Sequence, residues 1–271
     1  MELTFLGCSD AQGVPRMACE CAVCRGASLD NHNRRSRSSV WLTADGHHAL
    51  IDVSPDIRSQ YLIYRNGVVP DVVFLTHAHN DHMGGLGDFG DYCFWNALNV
   101  LVVAAPEVME LVQDRYPYLK RRRGIEFVSA TDYQLGAWHV TFHRTNHGYN
   151  GFSYAIVLQK PGQRWCYAVD AFDVPLPDLQ PLMGADVLVM AATHWDESAA
   201  VRSHRSVYDV QEALALRHTL QPKRFVLTHL AHSIDWEAHT PLLPPGVELA
   251  YDGLRLTSQD IEGGYREHSD S

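Results

Sequence analysis

The 271-residue sequence lacks any apolar run long enough to cross a bilayer: stretches such as Val187 to Ala192 fall far short of the roughly 20 residues a spanning helix needs. Its start, Met1-Glu2-Leu3-Thr4-Phe5-Leu6-Gly7, lacks the basic and apolar regions of a signal peptide, so a cytoplasmic protein with no membrane partner is expected. A basic excess is also missing. Twenty-two Lys and Arg against 32 Asp and Glu leave a net charge of −10, which argues against a general polyanion binder, because phosphate-backbone affinity comes mostly from Lys and Arg. An anionic substrate must then be met locally, by metals or a few arginines. No Pro/Gly/Ser-rich linker and no fixed-period repeat divides the chain, so one domain over residues 1–258 is expected, with a polar tail at 259–271. With 46% apolar and 20% charged residues, disordered, collagen-like and coiled-coil readings are excluded. A disulfide framework is missing too, since three of the six cysteines crowd into Cys19-Glu20-Cys21-Ala22-Val23-Cys24, in a chain large enough to need no staples.

What the sequence has is strands and histidines. Short β-rich runs recur at Leu3–Leu6, Val40–Thr43, Ala49–Val53, Val72–Thr76, Val100–Ala104, Val140–His143, Phe152–Leu158, Trp165–Val169, Val187–Met190, Phe225–Thr228 and Val247–Tyr251. Helical patterns open with Pro at Pro55–Arg65 and Pro106–Tyr116, and Ser206-Val207-Tyr208-Asp209 reads as a capping box for a helix to about Thr219. Metal-ligand residue types stand directly after apolar strands: His77 after Val72–Thr76, Asp170 after Tyr167–Val169, His229 after Phe225–Thr228. Strand ends bring such side chains to one rim of a sheet.

The strongest signal is His77-Ala78-His79-Asn80-Asp81-His82, within a chain of 16 histidines. Three imidazoles and a carboxylate at these offsets fit neither the helical nor the strand period, so they share no single face. They surround a metal pair if the chain turns there, and Met83-Gly84-Gly85-Leu86-Gly87 offers permissive backbone for a turn. Imidazole and carboxylate suit Zn²⁺, Mn²⁺ and Fe²⁺ alike, and two closely spaced cations lower the pKa of a shared water towards neutrality. Cys19-x-Cys21-x₂-Cys24 supplies three thiolate corners of a tetrahedron, as a structural Zn²⁺ requires, with the fourth ligand coming from elsewhere.

The His-x-His-x-Asp-His signature after a strand resembles that of the metallo-β-lactamase superfamily. The resemblance implies an α/β fold, the αβ/βα sandwich of two β-sheets flanked by helices. It implies that His77, His79 and His147 bind one divalent ion, that Asp81, His82 and His229 bind a second, and that Asp170 bridges them. Asp52 resembles the carboxylate that orients a ligand histidine. His232 is the expected fourth ligand of the Cys loop, three residues beyond His229. The opening Gly7-Cys8-Ser9-Asp10-Ala11-Gln12-Gly13-Val14-Pro15, the Cys loop and the intact signature together resemble the phosphoribosyl cyclic phosphate phosphodiesterases of the carbon–phosphorus lyase pathway, from about Leu3 to His232. That family implies 5-phospho-α-D-ribosyl 1,2-cyclic phosphate as the substrate, ribose 1,5-bisphosphate as the product and a homodimer as the assembly. It marks Asp81 and His204 as catalytic, His204 as general acid; Arg202 and Arg205 flank His204 in the sequence and could meet phosphate oxygens. Two alternatives stay open: a nuclease processing RNA ends, motivated by Lys120-Arg121-Arg122-Arg123, and a carrier-like protein similar to those of pyrroloquinoline quinone biosynthesis. The basic run weighs towards a solvated helix end, and nucleic acid is not the expected partner.

Overall fold

The computed structural model describes residues 1–27, 31–65 and 67–259. The tail expected at 259–271 lies, apart from Gln259, outside the described residues. The first half of the chain builds β1 (Glu2–Gly7), β2 (Ser39–Ala44), β3 (His47–Ile51), β4 (Val72–Leu75), β5 (Val100–Ala104) and β6 (Ile125–Ser129). Between them lie α1 (Ala22–Gly26), α2 (Ile57–Tyr64), α3 (Asn80–Met83), α4 (Leu86–Trp95) and α5 (Pro106–Arg115). The second half builds β7 (Asp132–Leu135), β8 (Trp138–Asn146), β9 (Phe152–Lys160), β10 (Gln163–Ala168), β11 (Val187–Ala191), β12 (Arg224–Thr228) and β13 (Val247–Leu249), with α6 (Leu176–Leu179), α7 (Val210–Leu220) and α8 (Trp236–His239). A last strand, β14 (Arg255–Thr257), returns to the first half.

Two seven-stranded sheets result, ordered β14-β1-β2-β3-β4-β5-β6 and β13-β12-β11-β10-β9-β8-β7. Each combines an antiparallel part with a parallel part, β3 to β6 in one and β10 to β13 in the other. The parallel strands are covered on both faces, and their side chains alternate between two cores. Trp165 and Tyr167, Val187 and Val189, and Val226 join the core that also holds Trp41, Leu50 and Phe74 of the first sheet. Their neighbours Cys166, Leu188, Met190, Phe225 and Leu227 turn the other way, against Val210, Ala213 and Leu220 of α7. The result is the αβ/βα sandwich. Among the described residues no helix is long and apolar enough to cross a membrane.

Two local expectations are corrected. The capping box lies three residues further on: Asp209 caps α7, accepting from the Glu212 amide at 2.8 Å, and Glu212 Oε2 accepts from the Asp209 amide at 3.1 Å. Ser206 instead stays outside the helix, where its carbonyl accepts from a histidine of the site. Gly84 and Gly85 make the expected turn between α3 and α4, but without using glycine's left-handed freedom. Both have right-handed helical backbone, and a Cβ on Gly85 would stand 2.1 Å from the Ser54 carbonyl oxygen. Their function is close approach of two backbones.

Candidate metal centre

The ligand-type side chains stand where strands end. His77 and His79 follow β4, Asp81 and His82 occupy α3, His147 directly follows β8, Asp170 comes two residues after β10, and His229 directly follows β12. Ligand atoms of His77, His79, His147 and Asp170 all lie within 4.8 Å of one another, and so do those of Asp81, His82, Asp170 and His229. Asp170 belongs to both groups. Its Oδ2 is 3.2 Å from Nε2 of His77, 3.2 Å from that of His82 and 3.5 Å from that of His147, while Oδ1 faces His229 Nε2 at 3.2 Å. Asp81 Oδ2 lies 3.3 Å from His82 Nε2 and 3.4 Å from His229 Nε2.

Each buried imidazole is oriented from behind. His82 Nδ1 meets Asp52 Oδ2 at 2.6 Å, His147 Nδ1 donates to the Ser206 carbonyl at 2.7 Å, His77 Nδ1 lies 3.0 Å from Thr76 Oγ1, and His229 Nδ1 lies 3.2 Å from Thr193 Oγ1. With Nδ1 engaged, the Nε2 lone pairs converge on the centre. Asp52 also accepts from the Thr76 amide at 2.8 Å, so the carboxylate is locked to the end of β4. Asp52, Asp170 and His229 all have positive φ, at 61°, 53° and 60°. Such backbone costs about 1–3 kcal/mol per residue and marks sites where geometry is over-determined by the surroundings.

The donor set fits divalent cations. His82 Nε2 and Asp170 Oδ1 are buried and make no hydrogen bond, and His77 Nε2 faces His79 Nδ1 at 2.9 Å. Burial pushes His77 and His147 below the ordinary imidazole range and His79 down to about 4. Burial alone would raise Asp81 and Asp170, but His82 and His229 outweigh it and hold both carboxyls well below their usual range. The same attraction raises His82 and His229 against their own burial. The centre thus draws positive charge into a buried space, the position a metal ion takes.

A second cluster lies near the first in the chain fold. Sγ of Cys19, Cys21 and Cys24 stand 3.2, 3.5 and 3.6 Å from His232 Nδ1, and the four atoms lie within 4.8 Å of one another. All six cysteines are free thiols. Cys21 caps α1, and the Cys24 amide that donates to it lowers its pKa, whereas burial pushes Cys24 up to about 11. Three sulfurs and one nitrogen are the donor set of a tetrahedral zinc site. His229 and His232 stand on one loop, so a single segment serves both clusters.

The His/Asp cluster around Asp170 opens on a cavity of about 450 Å³. His204 lines it from a 3₁₀ turn, Arg202–His204, and is exposed. Arg202 and Arg205 do not turn to the cavity as free cations. All three Arg205 nitrogens are bonded to Glu197, Asp209 and Glu212, and Arg202 is bonded to Asp173 and Glu212. The opening motif proves to be wall: Asp10, Ala11 and Gln12 line the cavity, as do Asn150, Thr193 and His194. Those last three carried no sequence signal beyond their proximity to a ligand or a strand end. Lys120–Arg123 precede β6, at the opposite end of the parallel strands from the site, and Arg122 is paired with Asp91.

A model of the beta-lactamase superfamily domain matches residues 47–230, and the chain belongs to that superfamily. In structure it is similar to a new diphosphatase from the PhnP family, with a TM-score of 0.82 and 28% identity, covering 94% of this chain and 96% of the other. It is also similar to Zn²⁺-bound PqqB from Methylobacterium extorquens, with a TM-score of 0.78 and 19% identity over 95% of this chain and all of the other. A curated relative, an octanoyltransferase of Porphyromonas gingivalis, is 29% identical over 265 residues. That match covers 94% of this chain but only 51% of the relative, so the chain spans about half the relative's length.

Proposed function

We propose that the protein is a metal-dependent phosphoric diester hydrolase. One cation would be held by His77, His79, His147 and Asp170, the other by Asp81, His82, His229 and Asp170, and a structural Zn²⁺ by Cys19, Cys21, Cys24 and His232. The observation that carries the reading is the sharing of Asp170 between two buried four-residue clusters that open on one cavity. The donor types accept Mn²⁺, Zn²⁺ or Fe²⁺. Bound there, the two ions supply Lewis acidity and a water whose pKa is lowered towards neutrality. The chain does the rest. Asp52, Thr193 and the Ser206 carbonyl keep the imidazoles aimed. Asp81, on the cavity wall, accepts a hydrogen bond from the attacking water, and His204 hands a proton to the departing alcohol oxygen as the P–O bond breaks.

The diphosphatase neighbour supports phosphate chemistry, and this chain's own opening motif, Cys loop and intact His signature make 5-phospho-α-D-ribosyl 1,2-cyclic phosphate the first diester to test. The position of Lys120–Arg123, away from the cavity, weighs against the RNA nuclease. The test is ³¹P NMR of the Mn²⁺-loaded protein with that cyclic phosphate, with 2′,3′-cyclic AMP and with a diphosphate ester. Cleavage of diesters, abolished by a chelator, is expected. Cleavage of the diphosphate alone would replace this reading by diphosphate hydrolysis, the second reading, which the neighbour favours.

A further inference from the structure

Away from the Asp170 cluster, the described cavity wall is poor in free positive charge. Among its described lining residues Arg205 is the one permanent cation, 5% exposed at its side chain, and its three nitrogens are spent on Glu197, Asp209 and Glu212. Asp10, on the same wall, is already paired with Arg16. Beside His204 stands Tyr149, 74% exposed, its ring centroid 6.2 Å from the His204 imidazole at 68°. The ring is not itself among the residues lining the cavity; it stands at the rim, edge-on to His204, between the lining residues His147 and Asn150. Yet its backbone is fixed: the Tyr149 amide donates to the Arg205 carbonyl at 3.0 Å, and the neighbouring Gly148, at φ 55°, has no room for a Cβ, which would stand 2.3 Å from that same oxygen. The 3₁₀ turn Gly148–Asn150 is thereby docked on the turn that carries His204, and Asn150 lines the cavity. Val201, 62% exposed, adds apolar surface to the same wall.

We infer that Tyr149 is a stacking platform at the cavity rim for a planar, uncharged group on the substrate, so that of the two diesters named above the nucleoside 2′,3′-cyclic phosphate is preferred over the phosphoribosyl one. The inference rests on the reading of the metal pair as a phosphate site and narrows its substrate class. A base stacked on an aromatic side chain contributes about tenfold or more in affinity, whereas a dianionic phosphate far from the metals finds no uncommitted guanidinium or ammonium on this wall.

Equilibrium binding of AMP and of ribose 5-phosphate to the Mn²⁺-loaded protein separates the possibilities, because the two share one phosphomonoester and differ by the base. AMP is expected to bind at least about tenfold more tightly. Tyr149→Ala removes the difference and Tyr149→Phe keeps it, since the ring and not the hydroxyl is used. Equal binding of the two ligands to the wild type, whether tight or weak, overturns the inference, as does a Tyr149→Ala protein that still prefers AMP. The AMP preference without cleavage of any diester sinks the hydrolase reading and leaves this one standing. Diester cleavage with equal binding does the reverse.

Discussion

At the scale of single residues, the centre depends on what stands behind each imidazole. Asp52 holds His82 at 2.6 Å and is itself fixed by the Thr76 amide and hydroxyl. Asp52→Asn keeps the shape and removes the charge. Metal affinity is expected to fall about 10–100-fold, read by chelator competition, and an unchanged affinity would show that His82 is oriented by packing alone. His204 is tested separately. It touches no ligand-type residue through a hydrogen bond, so His204→Ala should leave the metal content intact while kcat drops about 10²–10⁴-fold for a sugar or alkyl leaving group. With p-nitrophenolate, which leaves without a proton, the loss should largely disappear. An equal loss on both leaving groups contradicts the general-acid role.

At the scale of elements, the residues that cluster around Asp170 are the most legible in the sequence and the joints between elements the least. A strand ending in His-x-His-x-Asp-His identifies itself, because apolar period and ligand type change within one residue of each other at Thr76 and His77. Ser206 and Asp209 satisfy the same capping-box pattern as Asp209 and Glu212, and only the fold shows that Ser206 is needed by His147. Arg202 and Arg205 looked free for phosphate because their partners, Asp173, Glu197 and Glu212, come from other turns of the chain. Helix α4 was hidden by its glycines: Gly85, Gly87 and Gly90 weaken the propensity signal, yet a Cβ on Gly90 would stand 2.7 Å from Leu119. Gly85→Ala is therefore expected to destabilise the fold by about 1–3 kcal/mol, measured by urea unfolding. A midpoint unchanged from the wild type would restore the reading of these glycines as mere turn residues.

At the scale of the whole molecule, the two halves of the chain meet at the centre. The β4 end contributes His77, His79, Asp81 and His82, and the second sheet contributes His147, Asp170 and His229. Ions bound there would cross-link the sheets, and an ion at the Cys19–Cys24 loop would tie the first half to His232. Ligands that bind only the folded chain stabilise it by mass action. Cys24→Ser should thus lose one ion per chain and several degrees of thermal midpoint, and a variant that keeps both would show the thiols to be plain buried side chains. The central claim, a metal pair bridged by one carboxylate beside a separate thiolate site, is tested most directly by elemental analysis of the purified wild type and Asp170→Ala. The account predicts three ions per chain in the wild type, falling to one in the variant, with the remaining ion resistant to mild chelation. An Asp170→Ala protein that retains three ions, or a folded wild type that takes up only one, would contradict it.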